Sequence, residues 1–331
     1  MSAKIIRGLE NLPSDLGNTI VTIGNFDGVH CGHRWVIDHV INCARKLSAR
    51  AIAVTLDPHP AKLLRPDRGL RLITPGDRKL ELLAETGLDA VLVLPFNTEL
   101  ANTSARDFAT NVLHRALHAQ EVHEGENFRF GHDAEAGTDG LAALGKELGF
   151  SVHAYAPQSM RGQAISSSRI RTLIAAGNLP QARALLGREF SIDSTPASGR
   201  GYGTQYAVPT INLAPYAELL PANGVYITKL QIGEGTEAES FDGVTNIGNR
   251  PTFGADSFAV ETHLFNFHPV ALTETTPLRL TFKLRLRNEI RFPSPEALKA
   301  QIGRDIAKAQ RYLHLRKTLK SSFSSVESQQ A

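Results

Sequence analysis

The chain has 331 residues, of which 42% are hydrophobic and 21% are charged. At roughly 100–200 residues per domain, this length predicts about two domains, and the composition excludes collagen-like and disordered classes. The formal net charge of +3 is too small to indicate a nucleic-acid or membrane-surface protein by itself. No run approaches the roughly 18 apolar residues of a membrane span. Only two cysteines, Cys31 and Cys43, are present, and the N-terminus lacks a long apolar core, so we expect a cytoplasmic protein.

The first half of the chain alternates short apolar runs with helical patterns. The runs Thr19–Ile23, 51–56 and 89–94 are rich in strand-forming residues, and apolar residues recur at helical spacing between the first two. Further helices are predicted over 103–118 and 138–148. The repeated order of strand, helix and strand predicts a parallel sheet with crossover helices.

After about residue 186 the pattern changes to β structure without intervening helices. Extended segments are predicted at 224–232, 258–267 and 278–286, which favours an antiparallel sheet. A closing helix begins at Ser294-Pro295, and its apolar stripe is predicted to contain Leu298, Ile302, Ile306, Ala309 and Leu313.

These changes of pattern divide the chain into two domains and a tail. We expect a first domain over residues 1–186 and a second over 187–316. The Ser-rich segment 317–331 is expected to be disordered.

A glycine- and histidine-rich segment lies between the first strand and the first helix. It reads Gly24-Asn25-Phe26-Asp27-Gly28-Val29-His30-Cys31-Gly32-His33. Ligands of open α/β sheets bind at the carboxyl ends of strands, where a helix start also offers free N–H groups to an anion. Gly28 and Gly32 permit close backbone approach, and His30 and His33 can donate hydrogen bonds to charge that develops on phosphorus. The pattern favours a nucleotide-phosphate site over a turn with incidental histidines. It also disfavours a zinc site using Cys31, because the candidate ligands lie too close together.

Three further segments carry polar side chains suited to a nucleotide. In 165–171, Ser166, Ser167 and Ser168 can cap a helix, while Arg169 and Arg171 can supply cations to a triphosphate. In 125–131, Asn127, Phe128 and Arg129 combine an amide, a ring and a cation, which suits a planar heterocycle that carries a phosphate. Taken alone, these two segments are also compatible with solvent-facing arginines and a strand edge, and Asp57-Pro58-His59-Pro60 with a Pro-bracketed turn.

A second glycine-rich stretch occurs beyond the midpoint. Gly199, Gly201 and Gly203 precede Pro209-Thr210-Ile211-Asn212. Glycines let consecutive amides turn toward a phosphate, and the oxygens of Thr210 and Asn212 are hard ligands suited to Mg²⁺. Glu261 lies between Val260 and Thr262 on an extended run, projects to the opposite face, and is suited to accept a proton from a hydroxyl. A flexible linker and a surface glutamate are the alternatives that these residues leave open.

In this order, the motifs resemble those of the bacterial bifunctional riboflavin kinase/FMN adenylyltransferase family, within the HxGH nucleotidyltransferase superfamily. The kinase part of the resemblance includes Gly224-Val225-Tyr226, residues 246–253 and Val260-Glu261-Thr262-His263-Leu264, and the whole resemblance extends to about His314. It implies an α/β plus all-β architecture. The N-terminal domain would be Rossmann-like with a parallel sheet, and the C-terminal domain a Greek-key β-barrel with a terminal helix.

The resemblance also implies a function and roles for the motif residues. Riboflavin would be phosphorylated by ATP to FMN in the second domain, and FMN would be adenylylated by a second ATP to FAD in the first, with Mg²⁺ as the metal. His30, His33 and Arg169 would be catalytic and Glu261 would be the kinase base. Thr210 and Asn212 would hold the metal, and Asn127, Phe128 and Arg129 would contact the flavin. The remaining residues would bind ATP or its phosphates: Gly24, Asn25, Phe26, Gly28, Gly32, Ser167, Ser168, Gly199, Gly201 and Gly203.

Departures from the family pattern concern the second domain. Ala207-Val208 stands where the family commonly has Gly-Phe, residues 204–206 replace Arg-Thr-Leu, and an aspartate-leucine-tyrosine-glycine stretch is missing around 267–277. They leave an alternative in which only the adenylyltransferase works and the barrel is a flavin-binding or regulatory module. The expected partners are the small-molecule substrates, without nucleic acid or membrane, and the sequence does not specify an oligomeric state.

Overall fold

The computed structural model describes residues 2–197, 210–249 and 258–327. The chain forms two compact units. The first comprises Met1–Arg171 and Leu185–Gly187, and the second comprises Thr172–Ala184 and Arg188–Ala331. The sequence predicts a boundary at residue 186, and the segment Thr172–Ala184, just before that residue, groups with the second unit.

The first unit contains a parallel sheet of six strands. The strands of this unit are β1 (Lys4–Arg7), β2 (Thr19–Ile23), β3 (Arg50–Asp57), β4 (Ala90–Pro95), β5 (Ala119–Gly125), β6 (Arg129–Phe130), β7 (Ala136–Gly137), β8 (Ser151–Tyr155), β9 (Ser159–Met160) and β10 (Gln163–Ala164). Its helices are α1 (Cys31–Lys46), α2 (Pro60–Leu64), α3 (Gly76–Ala84), α4 (Thr98–Ala101), α5 (Ala105–Phe108), which continues as Ala109–Ala116, and α6 (Thr138–Leu148). Two further helices, α7 (Ser167–Ala175) and α8 (Leu179–Leu186), contribute residues to both units. The main sheet has the order β1-β4-β3-β2-β5-β8, which confirms the predicted α/β architecture.

The central strands of this sheet are buried on both faces. All five residues of β2 are buried, as expected for a parallel sheet that is covered by helices on each side. On one face, Ile20 belongs to a cluster that includes Ile37 and Val40 of α1. On the other, Val21 belongs to a cluster that includes Leu141 of α6. The alternating side chains of β2 therefore reach two separate cores.

The order of the strands creates one point where the chain direction across the sheet reverses. From β2 the chain proceeds to β3 and β4 on one side, whereas β5 and β8 lie on the other side. In open α/β sheets, the carboxyl ends of the strands at such a reversal border a ligand crevice. The loops that follow β2 and β5 are the glycine- and histidine-rich segment and the 125–131 segment, so the topology brings these two motifs to the same edge.

The second unit contains an antiparallel sheet and a long terminal helix, as predicted. Its elements are β11 (Phe190–Ser194), β12 (Thr210–Asn212), β13 (Gly224–Ile232), β14 (Glu239–Asn249), β15 (Phe258–Leu264), β16 (Leu278–Arg287) and α9 (Pro295–Glu327). The sheet order is β11-β16-β13-β14-β15-β12. Its two ends meet through an antiparallel bridge between Pro196 and Leu213, and the backbone N–H of Ala197 donates to the carbonyl of Asn212 at 2.8 Å. The sheet thus closes toward a barrel.

Three threonines form a hydrogen-bonded row inside this sheet. Thr228, Thr245 and Thr262 lie on β13, β14 and β15 and are fully buried. The hydroxyl of Thr245 lies 2.7 Å from that of Thr228 and 2.9 Å from that of Thr262. Because side chains alternate along a strand, the residues beside these threonines face away from the buried row.

The terminal helix α9 differs from the predicted apolar stripe. Leu298 and Ile302 are 38% and 36% exposed, so this part of the prediction is wrong. The buried positions include Asp305 and Ala309, and the Asp305 carboxylate accepts from Nε of Arg287 at 2.8 Å. By their spacing, Leu298, Ile302, Asp305 and Ala309 lie on one face of the helix. The ion pair of Asp305 occupies the buried part of this face, and Leu298 and Ile302 lie on its exposed N-terminal part.

The same helix continues to Glu327, through most of the segment 317–331 that the sequence analysis expects to be disordered. Leucine, arginine and lysine have high helix propensity and are frequent over 315–320. They carry the helix past the predicted end. None of the helices in the described ranges has the length and apolar character needed to cross a membrane.

Replacing Asp305 by alanine tests the role of its ion pair. Arg287, whose side chain is 17% exposed, would keep its charge but lose this partner, and breaking a buried pair typically costs about 3–5 kcal/mol. We expect a clear fall in the Tm of the second unit in a thermal unfolding experiment. Lys308→Ala, at an exposed position of the same helix, is the control. Equal Tm values for the two variants would contradict the assigned role.

Candidate active sites

The candidate site of the first unit starts at His30, the residue that caps α1. Nδ1 of His30 accepts a hydrogen bond from the backbone N–H of His33 at 3.2 Å. A neutral imidazole that accepts through Nδ1 carries its proton on Nε2. His30 is only 5% exposed. Its Nε2–H is therefore a hydrogen-bond donor held at the start of a helix, where anions also meet the positive end of the helix dipole.

The two histidines of this segment form a stacked pair. The rings of His30 and His33 are 3.6 Å apart at an interplanar angle of 14°, and the ring of Phe26 meets His33 edge-on at 5.2 Å. A Cβ atom at Gly32 would lie 3.2 Å from the His30 ring. Glycine at this position therefore lets the two rings lie against each other above the first turn of α1.

The loop before the histidines has an unusual backbone. Phe26 and Val29 have φ values of 47° and 36°, and Gly28 has a φ of 90°. A positive φ is strained for a β-branched residue such as Val29, and such strain persists only where surrounding contacts impose it. In the same loop, the buried side-chain oxygen of Asn25 accepts no hydrogen bond within the described part of the chain. It is available to a ligand donor.

Asp27 supplies the contacts that hold this loop. One oxygen of its buried carboxylate accepts from the backbone N–H groups of Ile73 and Thr74 at 2.9 and 3.0 Å. The other accepts from the guanidinium of Arg171 at 2.7 Å. The backbone carbonyl of Asp27 accepts from the Ser167 hydroxyl at 2.8 Å. One residue thus joins the loop after β2, the loop before α3 and the start of α7.

The start of α7 presents one arginine that is already paired and one that is available. The backbone N–H of Arg169 donates to the Ser166 hydroxyl at 3.3 Å, which agrees with the predicted capping role. Arg171 is bound to Asp27 and also donates to the carbonyl of Arg71 at 2.9 Å. Its charge is therefore engaged within the protein, contrary to the expectation that both arginines face a triphosphate. The guanidinium of Arg169 pairs with no carboxylate among the described residues.

The segment after β5 exposes the side chains predicted to contact a flavin. Asn127 and Arg129 are exposed, and Phe128 is half-buried. The Phe128 and Phe130 rings stack at 5.5 Å. A Cβ at Gly137 would collide with the Arg129 guanidinium, so this glycine makes room for the cation beside the strand.

The residues of 57–60 play a more local part. Nδ1 of His59 caps α2 by accepting from the backbone N–H of Ala61 at 3.1 Å. Burial lowers the pKa of His59, against the opposing charge of Asp27. The contacts described for residues 57–60 are therefore those of a turn that caps α2 near Asp27, which agrees with the simpler interpretation of this segment as a Pro-bracketed turn.

Sequence reasoning missed two buried titratable side chains, Glu124 and Lys79, near this edge of the sheet. Glu124, at the end of β5, accepts from the backbone N–H of Ile23 at 2.5 Å, and burial raises its pKa well above the ordinary value. Lys79 donates to the Thr55 hydroxyl and the Leu56 carbonyl at 3.0 and 3.1 Å, and burial lowers its pKa. No motif marks either residue, because their burial depends on strand packing.

The candidate site of the second unit is a row of polar residues across three strands. Glu261 on β15 pairs directly with Asn212 on β12 and with Asn246 on β14. Val260 and Thr262, its chain neighbours, are 4% and 0% exposed. Glu261 therefore lies on the face opposite the buried threonine row, with an amide side chain on each flanking strand.

Thr210 completes this face, two residues before Asn212. It pairs with His263, which is two residues after Glu261, so these side chains share one face. Asn246 opens the motif 246–253 that carries the resemblance, but no role was predicted for it, since only the pairing register brings it beside Glu261. The predicted phosphate-binding glycines Gly199, Gly201 and Gly203 lie outside the described residues, as do the departures at 204–208.

Replacing Glu124 by glutamine tests whether the buried Glu124 side chain is protonated in the folded protein. The folded-state pKa is raised above the ordinary 4.5, so the native state binds this proton more tightly than the unfolded chain. Wild-type stability should therefore fall as the pH rises above that value, by about 1.4 kcal/mol per pH unit until the group ionises. Glutamine keeps an oxygen for the Ile23 N–H and has no proton to lose.

We expect Glu124→Gln and the wild type to have similar Tm values at about pH 4, and the variant to have the higher Tm toward neutral pH. Thermal unfolding across this range measures the difference. The neighbouring Glu126→Gln, at an exposed position, is the control. A Tm difference that is independent of pH would rule out the buried, protonated state.

Comparison with known proteins connects both sites to one family. A family model described as FAD synthetase matches residues 12–169, and one described as riboflavin kinase matches residues 186–313. Several relatives are named bifunctional riboflavin kinase/FMN adenylyltransferase. That of Pseudomonas fluorescens is 34% identical over 92% of this chain and 96% of its own length. That of Escherichia coli K12 is 33% identical over 95% and 99%, and that of Buchnera aphidicola from Acyrthosiphon pisum is 32% identical over 95% and 99%.

A solved structure shares the fold over almost the whole chain. A protein described as a macrolide-efflux protein from Streptococcus pneumoniae matches with a TM-score of 0.81 and 23% identity, over 94% of this chain and 99% of its own. At this identity the likeness shows the fold alone. Both family models match this chain, and the relatives' names contain both activities, which supports a riboflavin kinase and an FMN adenylyltransferase over the adenylyltransferase-only alternative. The chain therefore belongs to the family of bifunctional riboflavin kinase/FMN adenylyltransferases.

Proposed function

We propose that the two activities are divided between the two units and act in sequence. The second unit transfers the γ-phosphoryl group of ATP to riboflavin, which yields FMN and ADP. The first transfers AMP from a second ATP to FMN, which yields FAD and pyrophosphate. The observation that carries this division is that the stacked pair of His30 and His33 lies in the first unit and the Glu261 row in the second.

In the adenylylation step, the chain's main contribution is stabilisation of charge. An oxygen of the FMN phosphate attacks the α-phosphorus of ATP, and the bond to pyrophosphate breaks. Because the attacking oxygen is already anionic, this step needs no general base. His30 and His33 donate hydrogen bonds to the phosphates, and Arg169 supplies a cation. Further contacts to ATP come from the rest of the segment and from the start of α7: Gly24, Asn25, Phe26, Gly28, Gly32, Ser167 and Ser168.

The flavin of FMN is proposed to bind beside the loop after β5. Asn127 and Arg129 are exposed there and can contact the phosphate or the polar edge of the flavin, while Phe128 offers a ring face. The reversal of strand order places this loop at the same sheet edge as the histidine segment. This shared edge supports the assignment, since the two reacting phosphates must meet.

In the kinase step, Glu261 acts as a general base. Its carboxylate takes the proton of the ribityl 5′-hydroxyl while the hydroxyl oxygen attacks the γ-phosphorus, and ADP leaves. The amide groups of Asn212 and Asn246 flank Glu261. They can orient the hydroxyl and the phosphate around the base.

The residues beside Glu261 also suit a magnesium ion. Thr210 and Asn212 offer a hydroxyl and an amide oxygen on the same face as the carboxylate, and Mg²⁺ prefers such hard oxygen ligands. The ion would neutralise charge on the nucleotide phosphates.

A cytoplasmic location also belongs to the proposal and rests on the low cysteine content.

Two substitutions test the division between the units. His30→Asn keeps a side chain that can cap α1 but removes the imidazole, and we expect FAD formation from FMN to fall by about 10²–10³. Glu261→Gln removes the base, and we expect FMN formation from riboflavin to fall by about 10²–10⁴. Each variant should retain the other activity. Chromatographic separation of flavins after incubation with ATP and Mg²⁺ measures both steps, and loss of both in either folded variant would contradict the division.

A third substitution tests Asp27 as a positioning residue. Asp27→Asn still offers an oxygen to Ile73 and Thr74 but loses its charge opposite Arg171, so the start of α7 should shift. We expect kcat/KM for FMN adenylylation to fall by about 10²-fold, since small displacements have such effects. Riboflavin phosphorylation should be unchanged.

The double variant Asp27→Asn/Arg171→Gln separates positioning from a direct role. It removes both charges and leaves neither one buried alone, so part of the lost rate should return. Asp77→Asn, whose side chain is 89% exposed, is the control. Full adenylyltransferase activity in the single Asp27 variant would overturn the role.

A further inference from the structure

A compact cluster of metal-ligating side chains lies in the first unit and takes no part in the chemistry described above. It consists of Cys43, Glu121, His123 and His153. One carboxylate oxygen, Oε2 of Glu121, lies 3.0 Å from Sγ of Cys43, 3.0 Å from Nε2 of His123 and 3.1 Å from Nε2 of His153. The donor atoms of Cys43, Glu121 and His123 all lie within 4.8 Å of one another.

The fold assembles this cluster from three elements. Glu121 and His123 are two residues apart on β5, so their side chains share one face of the sheet. His153 on β8 is the direct register partner of His123, and the two rings stack at 4.6 Å. Cys43 comes from α1, which packs against β5. The four donors therefore converge through strand alternation, parallel pairing and helix packing.

The donor types suit a zinc-like ion. Zn²⁺ is bound in proteins by thiolate, imidazole and carboxylate groups, usually four at a time in a tetrahedron. With metal–ligand bonds of about 2.0–2.3 Å, the donors of such a tetrahedron lie roughly 3.5 Å apart. The separations of 3.0–3.1 Å around Glu121 are shorter than this, so Glu121 would move outward on binding. The His153 ring, which lies outside the group whose donor atoms are all within 4.8 Å of one another, would move toward the ion. Mg²⁺, in contrast, prefers a shell made only of oxygen atoms.

The surroundings of His123 fix the ring as a ligand requires. Its Nδ1 lies 2.7 Å from the hydroxyl of Tyr155, and its Nε2 is directed into the cluster. Histidines that bind a metal through one ring nitrogen commonly have a hydrogen-bond partner on the other. A metal binds the neutral imidazole through Nε2, with the second nitrogen held by Tyr155.

The cluster also has a route to solvent. The side chain of His123 is only 4% exposed, but those of Glu121 and His153 are 21% and 45% exposed. His153 lies on β8, the edge strand of the sheet. An ion can therefore enter from the edge and reach a partly enclosed site, as a functional metal site requires.

We propose that Cys43, Glu121, His123 and His153 form a binding site for a divalent zinc-like transition-metal ion. On binding, the metal–sulfur bond replaces the S–H bond, and the Cys43 proton passes to solvent. Burial, with the hydrogen bond to Glu121, raises the pKa of this thiol to about 11, so the ion must displace the proton. The bound ion would tie α1, whose first turn carries His33, to β5 and β8.

Without an ion, the same residues form a cluster in which Glu121 hydrogen-bonds to Cys43 and His123 and lies 3.1 Å from Nε2 of His153. The experiment must distinguish these two states. Metal-depleted full-length protein is titrated with Co²⁺ in the presence of excess Mg²⁺. The Mg²⁺ fills any sites made of hard oxygen ligands, so that Co²⁺ does not bind there. A cysteine-ligated tetrahedral Co²⁺ ion gives a thiolate-to-metal charge-transfer absorption and visible d–d bands. We expect one such ion per chain, displaced by one equivalent of Zn²⁺.

The two cysteines provide a matched pair of variants. Cys43→Ser should abolish the charge-transfer band, whereas Cys31→Ser should retain it. His153→Asn, at an exposed edge position that does not endanger folding, should weaken Co²⁺ binding at least about tenfold and alter the d–d bands. Zn²⁺ should raise the Tm of the wild type and of Cys31→Ser but not that of Cys43→Ser.

Three outcomes would overturn the proposal. The first is the absence of a thiolate band in the wild type. The second is a band that persists in Cys43→Ser or disappears in Cys31→Ser, which would place the ion beside the histidine pair of the nucleotide site. The third is unchanged affinity in His153→Asn, which would remove that residue from the set of ligands. Circular dichroism of each variant confirms that it is folded before the titration is interpreted.

Discussion

The geometry of the first site depends on one buried carboxylate. A buried charge is costly unless it is paired and hydrogen-bonded, and Asp27 meets this requirement with two backbone N–H groups and the guanidinium of Arg171. These partners lie 46, 47 and 144 positions away in the sequence. The left-handed backbone at Phe26 and Val29 is maintained by these distant contacts. The native geometry of the histidine pair therefore depends on contacts from the loop before α3 and from the start of α7.

The two units position their reactive groups by different means. In the first, a helix start and a set of loops hold donors around a place where negative charge accumulates, which suits a reaction whose nucleophile is already ionised. In the second, the pairing register of three strands places a carboxylate between the amides of Asn212 and Asn246. This arrangement suits a reaction that must remove a proton. The chemistry of each step thus corresponds to the type of secondary structure that supports it.

Strands made mostly of apolar residues could be predicted from the sequence, whereas a strand that carries several polar side chains could not. The predicted runs correspond to β2, β3 and β4, because these strands are apolar on both faces. β5 was missed because Glu121, His123 and Glu124 interrupt its apolar pattern, although all three are held by tertiary contacts. The motif around Asp27 could be read from the sequence, but its partners could not, since they come from other loops. Along α9, apolar spacing marked the correct face, but the sequence did not show that the N-terminal part of this face is exposed or that an ion pair occupies its buried part.

The buried threonine row has a consequence for the opposite side of the sheet. A shift of β15 by one residue would move Glu261 into the interior and remove Thr262, the partner of Thr245, from the row, so a buried carboxylate and a broken hydrogen bond would replace the native contacts. The row therefore fixes the register that keeps Glu261, the proposed kinase base, on the opposite face of the sheet, although none of its members reaches solvent.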